Sequence, residues 1–278
     1  MYFEYEELIR DRDAFEYDDF ISQYQTRVEA NLIEKLLPAK AETILDAGCG
    51  TGRFINLLMQ NYHSPEKTII YHGIDLSKES LKMAEKKLQR YDNVKYNLVK
   101  NSITSLPFES NYYDLIICSQ VFEHILDKND QLNTLKELKR CLKPRGVLIL
   151  TTFCYSIFDR IRKTPKVHTA SDGKVPNYIK LIKKELLDQI LPEVFKKEEI
   201  ESAFGGLCLY RIPKMKHIYP YCKRIIESIE NIFSKLPFSF FFSHLIFVRM
   251  AKRTNLKLDV NQNKPNELKN NKRQFITA

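Results

Sequence analysis

Three of the chain's eight glycines, Gly48, Gly50 and Gly52, fall at alternate positions in the stretch ILDAGCGTGRF, from Ile44 to Phe54. An apolar run precedes them and another follows. Glycines in such a loop let the backbone take left-handed φ values and approach a ligand with no Cβ in the way. When a strand leads in and a helix leads out, the loop also aims the helix N-terminus at that ligand. The flanks suit this arrangement. Ile44 and Leu45 open a strand, and RFINLLMQNY reads as a helix with Phe54, Ile55, Leu58 and Met59 on its buried side.

The pattern then repeats. TIIYHGIDLS (Thr68–Ser77) is a second buried strand ending at Asp75, and Ser77 is the expected N-cap of a helix over Lys78–Tyr91 with Leu81, Ala84 and Leu88 on one face. NVKYNLV alternates as a third strand, and YYDLIICSQ (Tyr112–Gln120) is a fourth. QLNTLKELKRCL predicts a helix along Leu132, Leu135, Leu138 and Leu142. KPRG is a Pro-initiated turn, and VLILTTF a fifth strand. Strict strand and helix alternation builds a doubly wound, mostly parallel α/β sheet. Ligands of such sheets sit beyond the carboxyl ends of the strands, where strand order switches. The glycine loop lies at that edge.

Two details shape the ligand. Dinucleotide sites use Gly-x-Gly-x-x-Gly, but here Arg53 stands where the third glycine would be. Asp75, one strand over, is placed to accept hydroxyls of a ribose diol on a carboxylate, a charge-assisted pairing.

These pieces together resemble class I S-adenosylmethionine-dependent methyltransferases. ILDAGCGTGRF, GIDLSKESLKMAEKKL, SLPFESNYYDLIICSQVFEHI and CLKPRGVLILTT occur in that family's order and cover Ile44 to Thr152. The resemblance implies a Rossmann-like, seven-stranded sheet with an antiparallel last strand and a helical lid. It implies that Asp46, Gly48, Cys49, Gly50 and Gly52 surround the methionine part of S-adenosyl-L-methionine, that Asp75 binds the ribose, and that Leu76 packs on the adenine. Asn101 and Ser102 stand where the family often has an Asp facing the adenine amino group, and Gln120 where it lines the cofactor pocket. Arg145 replaces the usual glycine of the turn, with any positive φ expected at Gly146. His124, in FEHI, is the candidate general base; Glu123 beside it is read as structural or as a contact to the cofactor amine. The subgroup resembled methylates small molecules such as quinone precursors, sugars and natural products, so O-methylation of such an acceptor is the favoured reading.

The remaining organisation is read more coarsely. Residues 1–43 form a helical segment stopped by Pro38, 44–153 the cofactor-binding core, 154–205 a helical lid, 206–253 closing strands with an inserted helix, and 254–278 a disordered basic tail. In the lid, NYIKLIKKELLDQIL predicts an amphipathic helix along Ile179, Ile182, Leu186 and Ile190, and KKEEIESAF a short helix. GGLCLYRI and HLIFVRMAK are expected strands, and YCKRIIESIENIFSKL a helix.

Charge is uneven along the chain. Residues 1–154 hold 20 Lys/Arg against 23 Asp/Glu, whereas residues 155–224 hold 15 against 8. Tyr155, Arg160, Arg162, Lys163 and His168 are therefore candidates for holding an anionic acceptor. LPFSFFFSHLIFV is too short and broken to span a bilayer; it reads as a loop plus a buried terminal strand, with peripheral membrane contact beside the basic helix 221–236, suiting a lipid-like acceptor, as the alternative. None of the six cysteines forms a CxxC pair and no metal site is expected; a reduced cytoplasmic protein is the simplest reading. Three other functions stay open: a nicotinamide oxidoreductase, disfavoured by Arg53; a nucleic-acid methyltransferase, disfavoured because the fourth strand ends in CSQVFEH and not in an Asn/Asp-Pro-Pro-aromatic run; and a non-catalytic cofactor-binding protein.

Overall fold

The computed structural model describes residues 20–169, 176–203, 243 and 245–252, with isolated helical positions at 221, 225, 228 and 232. The expected strand over 205–212, most of the helix over 221–236 and the tail from 254 lie outside the described residues.

Helix α1 (Phe20–Leu36) leads through Pro38 into β1 (Thr43–Ala47). Then follow α2 (Ile55–Tyr62), β2 (Ile69–Asp75), α3 (Lys78–Leu88), β3 (Val94–Lys100) and β4 (Tyr113–Ser119). A short 3-10 turn (Phe122–His124), α4 (Lys128–Cys141) and β5 (Leu142–Phe153) complete the alternating part. Beyond it come α5 (Ile157–Ile161), a hairpin of β6 (Val167–Thr169) and β7 (Pro176–Ile179), and a helical run that passes from α6 (Lys183–Glu185) through a π turn into α7 (Leu191–Val194). Strands β8 (Lys196–Ala203) and β9 (Leu245–Ala251) close the main sheet.

That sheet has seven strands in the order β3-β2-β1-β4-β5-β9-β8. The first five are parallel, and β9 runs antiparallel to both of its neighbours. Successive side chains of a strand face opposite sides, so Ile44 and Leu45 enter different cores. Ile44, Tyr71, Leu115, Ile117, Val147 and Phe247 meet α1, α2 and α3 on one face. Leu45, Ile116, Leu148, Leu150 and Val248 meet α4 and the α6–α7 run on the other. Asp114 accepts the Thr43 backbone N–H and hydroxyl and pairs with Lys143 at 2.8 Å, which ties the starts of β1, β4 and β5 together.

The elements of the core follow their sequence patterns closely. Ser77 caps α3 by accepting the Ser80 N–H at 3.0 Å, although the helix ends at Leu88 and not at Tyr91. Three expectations are corrected. Lys143–Gly146, expected as a turn, lies within β5 where its pairing with β4 shifts register, and the left-handed residue there is Arg145 (φ 66°) and not Gly146. A Cβ on Gly146 would come within 2.9 Å of the Tyr113 carbonyl oxygen, so this glycine is set by close approach. The stripe Ile179–Ile190 is not one helix: Ile179 closes the β6–β7 hairpin opposite Val167, Ile182 is exposed ahead of α6, and Leu186 and Ile190 are buried in the helical run with Leu187, Leu191 and Val194. KKEEIESA is strand β8, held by pairing with β9.

Among the described residues no helix is long and apolar enough to cross a membrane. Among them, too, no group of His, Cys, Asp or Glu is arranged to hold a metal ion. Cys49, Cys118, Cys141 and Cys154 are buried thiols.

Candidate active site

The loop after β1 takes the conformation only glycine adopts easily, with φ of 79° at Gly48, 51° at Gly50 and 74° at Gly52. It crosses to the end of β2, where Gly48 N–H and Cys49 N–H both donate to the Ile74 carbonyl at 2.7 and 3.0 Å. The three glycines have different reasons to be glycine. A Cβ on Gly48 would lie 2.1 Å from Val121, so the loop needs that space to pass the turn after β4. On Gly52 it would strike Ile55 at 2.3 Å. On Gly50 it would meet nothing within 4 Å, because that position faces open space.

The open space is a cavity of about 350 Å³ at the carboxyl ends of β1, β2 and β4, in the usual size range of small-ligand sites. Asp46, Gly48, Cys49, Gly50, Asp75, Leu76, Asn101, Ser102, Gln120 and His124 all line it. Of the cofactor-binding residues expected from sequence, Gly52 is the one that does not; it packs the loop against α2 and α3. Asp75 is fixed from both sides: Oδ2 accepts the Gly50 N–H at 2.8 Å and Oδ1 the Ser77 N–H at 2.9 Å. Each carboxylate oxygen has a second lone pair for a ligand hydroxyl. Asn101 Oδ1 accepts the Ser102 N–H, and the Ser102 hydroxyl meets that of Thr104 at 2.9 Å.

Asp46 is almost fully buried and accepts the Tyr71 hydroxyl at 2.9 Å. Burial pushes its pKa up to about 7; the Tyr71 hydrogen bond opposes the rise and the nearby Asp75 charge adds to it.

The residue that breaks the dinucleotide pattern has its own task. Arg53 reaches away from the loop to Glu29 of α1, 2.7 Å from a carboxylate that is fully buried. Gln120, held at φ 55°, donates to the other Glu29 oxygen. Glu29, Arg53 and Gln120 thus join the N-terminal helix, the glycine loop and the end of β4 around the cavity wall. The sequence reading missed Glu29. A lone acid in a helix 24 residues from its partner carries no local pattern.

His124 sits in the 3-10 turn after β4, half-buried, with Nδ1 2.7 Å from the Asn177 carbonyl oxygen of β7. A carbonyl only accepts, so the proton of the neutral ring sits on Nδ1 and Nε2 is the basic nitrogen. Glu123 does not line the cavity; it is fully buried and accepts the Thr152 hydroxyl at 2.8 Å. The basic candidates of the lid do not reach the cavity either. Arg160, Arg162 and Lys163 are exposed on α5 and the turn after it, Tyr155 donates to the Thr164 carbonyl, and His168 stacks on Tyr178. The wall beyond His124 carries Asp127 and Asp130 instead.

Known proteins agree with this geometry. Residues 45–150 match the family described as Methyltransferase domain. A malonyl-[acyl-carrier protein] O-methyltransferase from Halalkalibacterium halodurans is 29% identical over 240 residues, 78% of this chain and 85% of that protein. Other curated relatives are matched over 25–60% of their own length. The fold is shared with a SAM-dependent methyltransferase from Thermotoga maritima, with a TM-score of 0.58 and 19% identity over 89% of this chain and 100% of that one. It is shared too with the N-methyltransferase NodS from Bradyrhizobium japonicum, solved with S-adenosyl-L-homocysteine, with a TM-score of 0.56 and 12% identity over 90% and 99%. Glycine loop, strand-end carboxylate, sheet order and domain match converge: the chain carries a class I S-adenosylmethionine-dependent methyltransferase domain and is an enzyme of that kind.

Proposed function

We propose that the cavity binds S-adenosyl-L-methionine and that the enzyme methylates an oxygen of a small-molecule acceptor. One observation carries the cofactor reading: Asp75, locked by the Gly50 and Ser77 amides, faces the cavity beside a loop whose Gly50 leaves room for a ligand. Leu76 and Ile103 supply apolar surface for a purine, and Asn101 and Ser102 supply polar groups at its edge. Asp46, also on the cavity wall, suits a cationic amino acid moiety, because a bound positive charge favours its ionised form.

The bound cofactor supplies an activated methyl group on a sulfonium centre. The protein's part is to hold an acceptor oxygen in line with the breaking S–C bond and to keep water out. His124 is placed to take the acceptor proton on Nε2 while the Asn177 carbonyl steadies the ring through Nδ1. The O-methyltransferase relative supports oxygen as the acceptor atom.

Calorimetric titration with S-adenosyl-L-homocysteine tests this directly. Wild-type protein should bind it, and Asp75→Ala should weaken binding by about a hundredfold, the loss of two charge-assisted hydrogen bonds. No uptake by folded wild-type protein, or equal uptake by Asp75→Ala, overturns the assignment.

A further inference from the structure

Among the described residues, every large apolar side chain that is exposed lies in the segment inserted between β5 and β9. The first of them cluster on α5 and β6. Ile157 and Ile161 are one helical turn apart and therefore on the same face, 40% and 69% exposed. Val167, at the start of β6, is 43% exposed.

The charged neighbours are of one sign. Arg160, Arg162, Lys163 and Lys166 are all exposed. The one acid among residues 156–169, Asp159, is turned inward: it is 4% exposed, caps α5 through Ser156 and pairs with Lys180 at 2.6 Å. The face presented to solvent is thus branched aliphatic side chains flanked by cations, with no exposed carboxylate among residues 156–169. Ordinary solvated helices mix both signs and show few isoleucines.

We propose that this α5–β6 face docks on an anionic lipid bilayer. Isoleucines inserted at the headgroup boundary and cations held near anionic lipids are the two components of interfacial binding. A protein partner is the poorer fit, since interface anchors are mostly aromatic residues and Arg seated in pockets; the aromatic residues of this segment, Phe158 and His168, are half-buried.

The face is also one strand away from the cavity wall. Val167 and His168 of β6 pair with Ile179 and Tyr178 of β7. The Tyr178 ring lies 5.9 Å from that of His124, and Asn177 beside it holds His124 Nδ1. Docking therefore brings the proposed base toward the headgroup region. Taken with the methyltransferase reading, on which this step rests, it assigns the acceptor to membrane-resident amphiphiles with an oxygen at the headgroup level.

The test is co-sedimentation of the full chain with phosphatidylcholine vesicles, with and without phosphatidylglycerol. The expected result is partition onto the phosphatidylglycerol vesicles that weakens with added salt. Arg162→Ser and Lys163→Ser should each reduce it about fivefold, and Ile161→Asp about tenfold or more. All three positions are exposed, and unchanged binding of S-adenosyl-L-homocysteine confirms that each variant is folded. Equal partition of wild type and Ile161→Asp, or none above phosphatidylcholine alone, overturns the proposal. Retention on an immobilised acidic acyl carrier protein without retention on vesicles overturns it in favour of a protein partner. Because cofactor uptake is measured separately, the docking proposal and the methyltransferase reading fail independently.

Discussion

The alternating part of the chain, Thr43–Phe153, and the segment inserted between Phe153 and Leu245 are built on different terms. In the former, the ends of β1 and β2 are locked by specific contacts: Gly48 against Val121, Asp75 against two amides, Ser77 as a cap. The latter is a set of short pieces, a one-turn helix, a hairpin and a helical run interrupted by a π turn, held by local devices such as the Asp159–Lys180 pair. One is made to hold a single geometry around a ligand. The other, among its described residues, buries its helical run against the sheet and adds β8 to it, but its first part, residues 154–182, reaches the site through the Asn177–His124 contact and carries exposed apolar side chains.

Substitutions can break or sharpen that contrast. The largest effect is expected from Gly48→Ala, which adds a Cβ 2.1 Å from Val121 at a φ of 79°. Left-handed strain and overpacking together cost about 3–5 kcal/mol, visible as a large drop in melting temperature and loss of S-adenosyl-L-homocysteine binding. Glu29→Ala comes next. It leaves the Arg53 guanidinium without its buried carboxylate, a loss of about 3 kcal/mol in denaturant titrations, and it frees Gln120, so cofactor affinity should fall with stability.

The third prediction concerns pH. The Asp46 carboxyl of the folded, ligand-free protein has its pKa near 7, above the ordinary 3.8. From pH 4 to 7 the unfolded chain gives up this proton first, so this group's contribution to stability is present at low pH and is lost as pH rises through that window. A cationic ligand favours the ionised form. Affinity for S-adenosyl-L-methionine should therefore rise about tenfold per pH unit up to about 7 and then level off. A flat profile from pH 5 to 8 in calorimetry, with no proton release, removes Asp46 from the site.

The smallest effect on global melting is expected from Lys180→Ala. It breaks the Asp159 pair, yet the inserted segment can open locally while the sheet stays intact. Hydrogen exchange should quicken over residues 154–182 and remain unchanged in β1, β2 and β4. Exchange that quickens equally in both regions erases the distinction between them.

The same contrast explains what was legible from the amino acids. Strands β1, β2, β4 and β5 carry largely apolar runs because both faces of the sheet are covered. The cavity lining came from the family resemblance carried over residue by residue, with Gly52 as the exception, since the spacing of three glycines does not say which one faces a ligand and which one faces a helix. KKEEIESA reads as helix because five of its eight residues are charged and favour helices. It is a strand because β9, an apolar run more than forty residues later, offers it an edge. Charges on an edge strand also guard that edge against stray pairing. The sequence leaves any positive φ of KPRG to Gly146, yet Arg145 takes it while Gly146 is crowded by the Leu142 side chain and the Tyr113 carbonyl, the latter a long-range constraint with no trace in those four residues.

Strand β9 is last in sequence but not last in space, because it lies between β5 and β8. A ribosome delivers residues 245–251 only after all the others have emerged up to that point, so until then, among the described strands, β5 has one flank unpaired and β8 lacks the strand it pairs with. Synthesis of this protein thus includes an interval in which an apolar ribbon waits for its central partner. That interval makes the nascent chain a natural client of ribosome-associated chaperones.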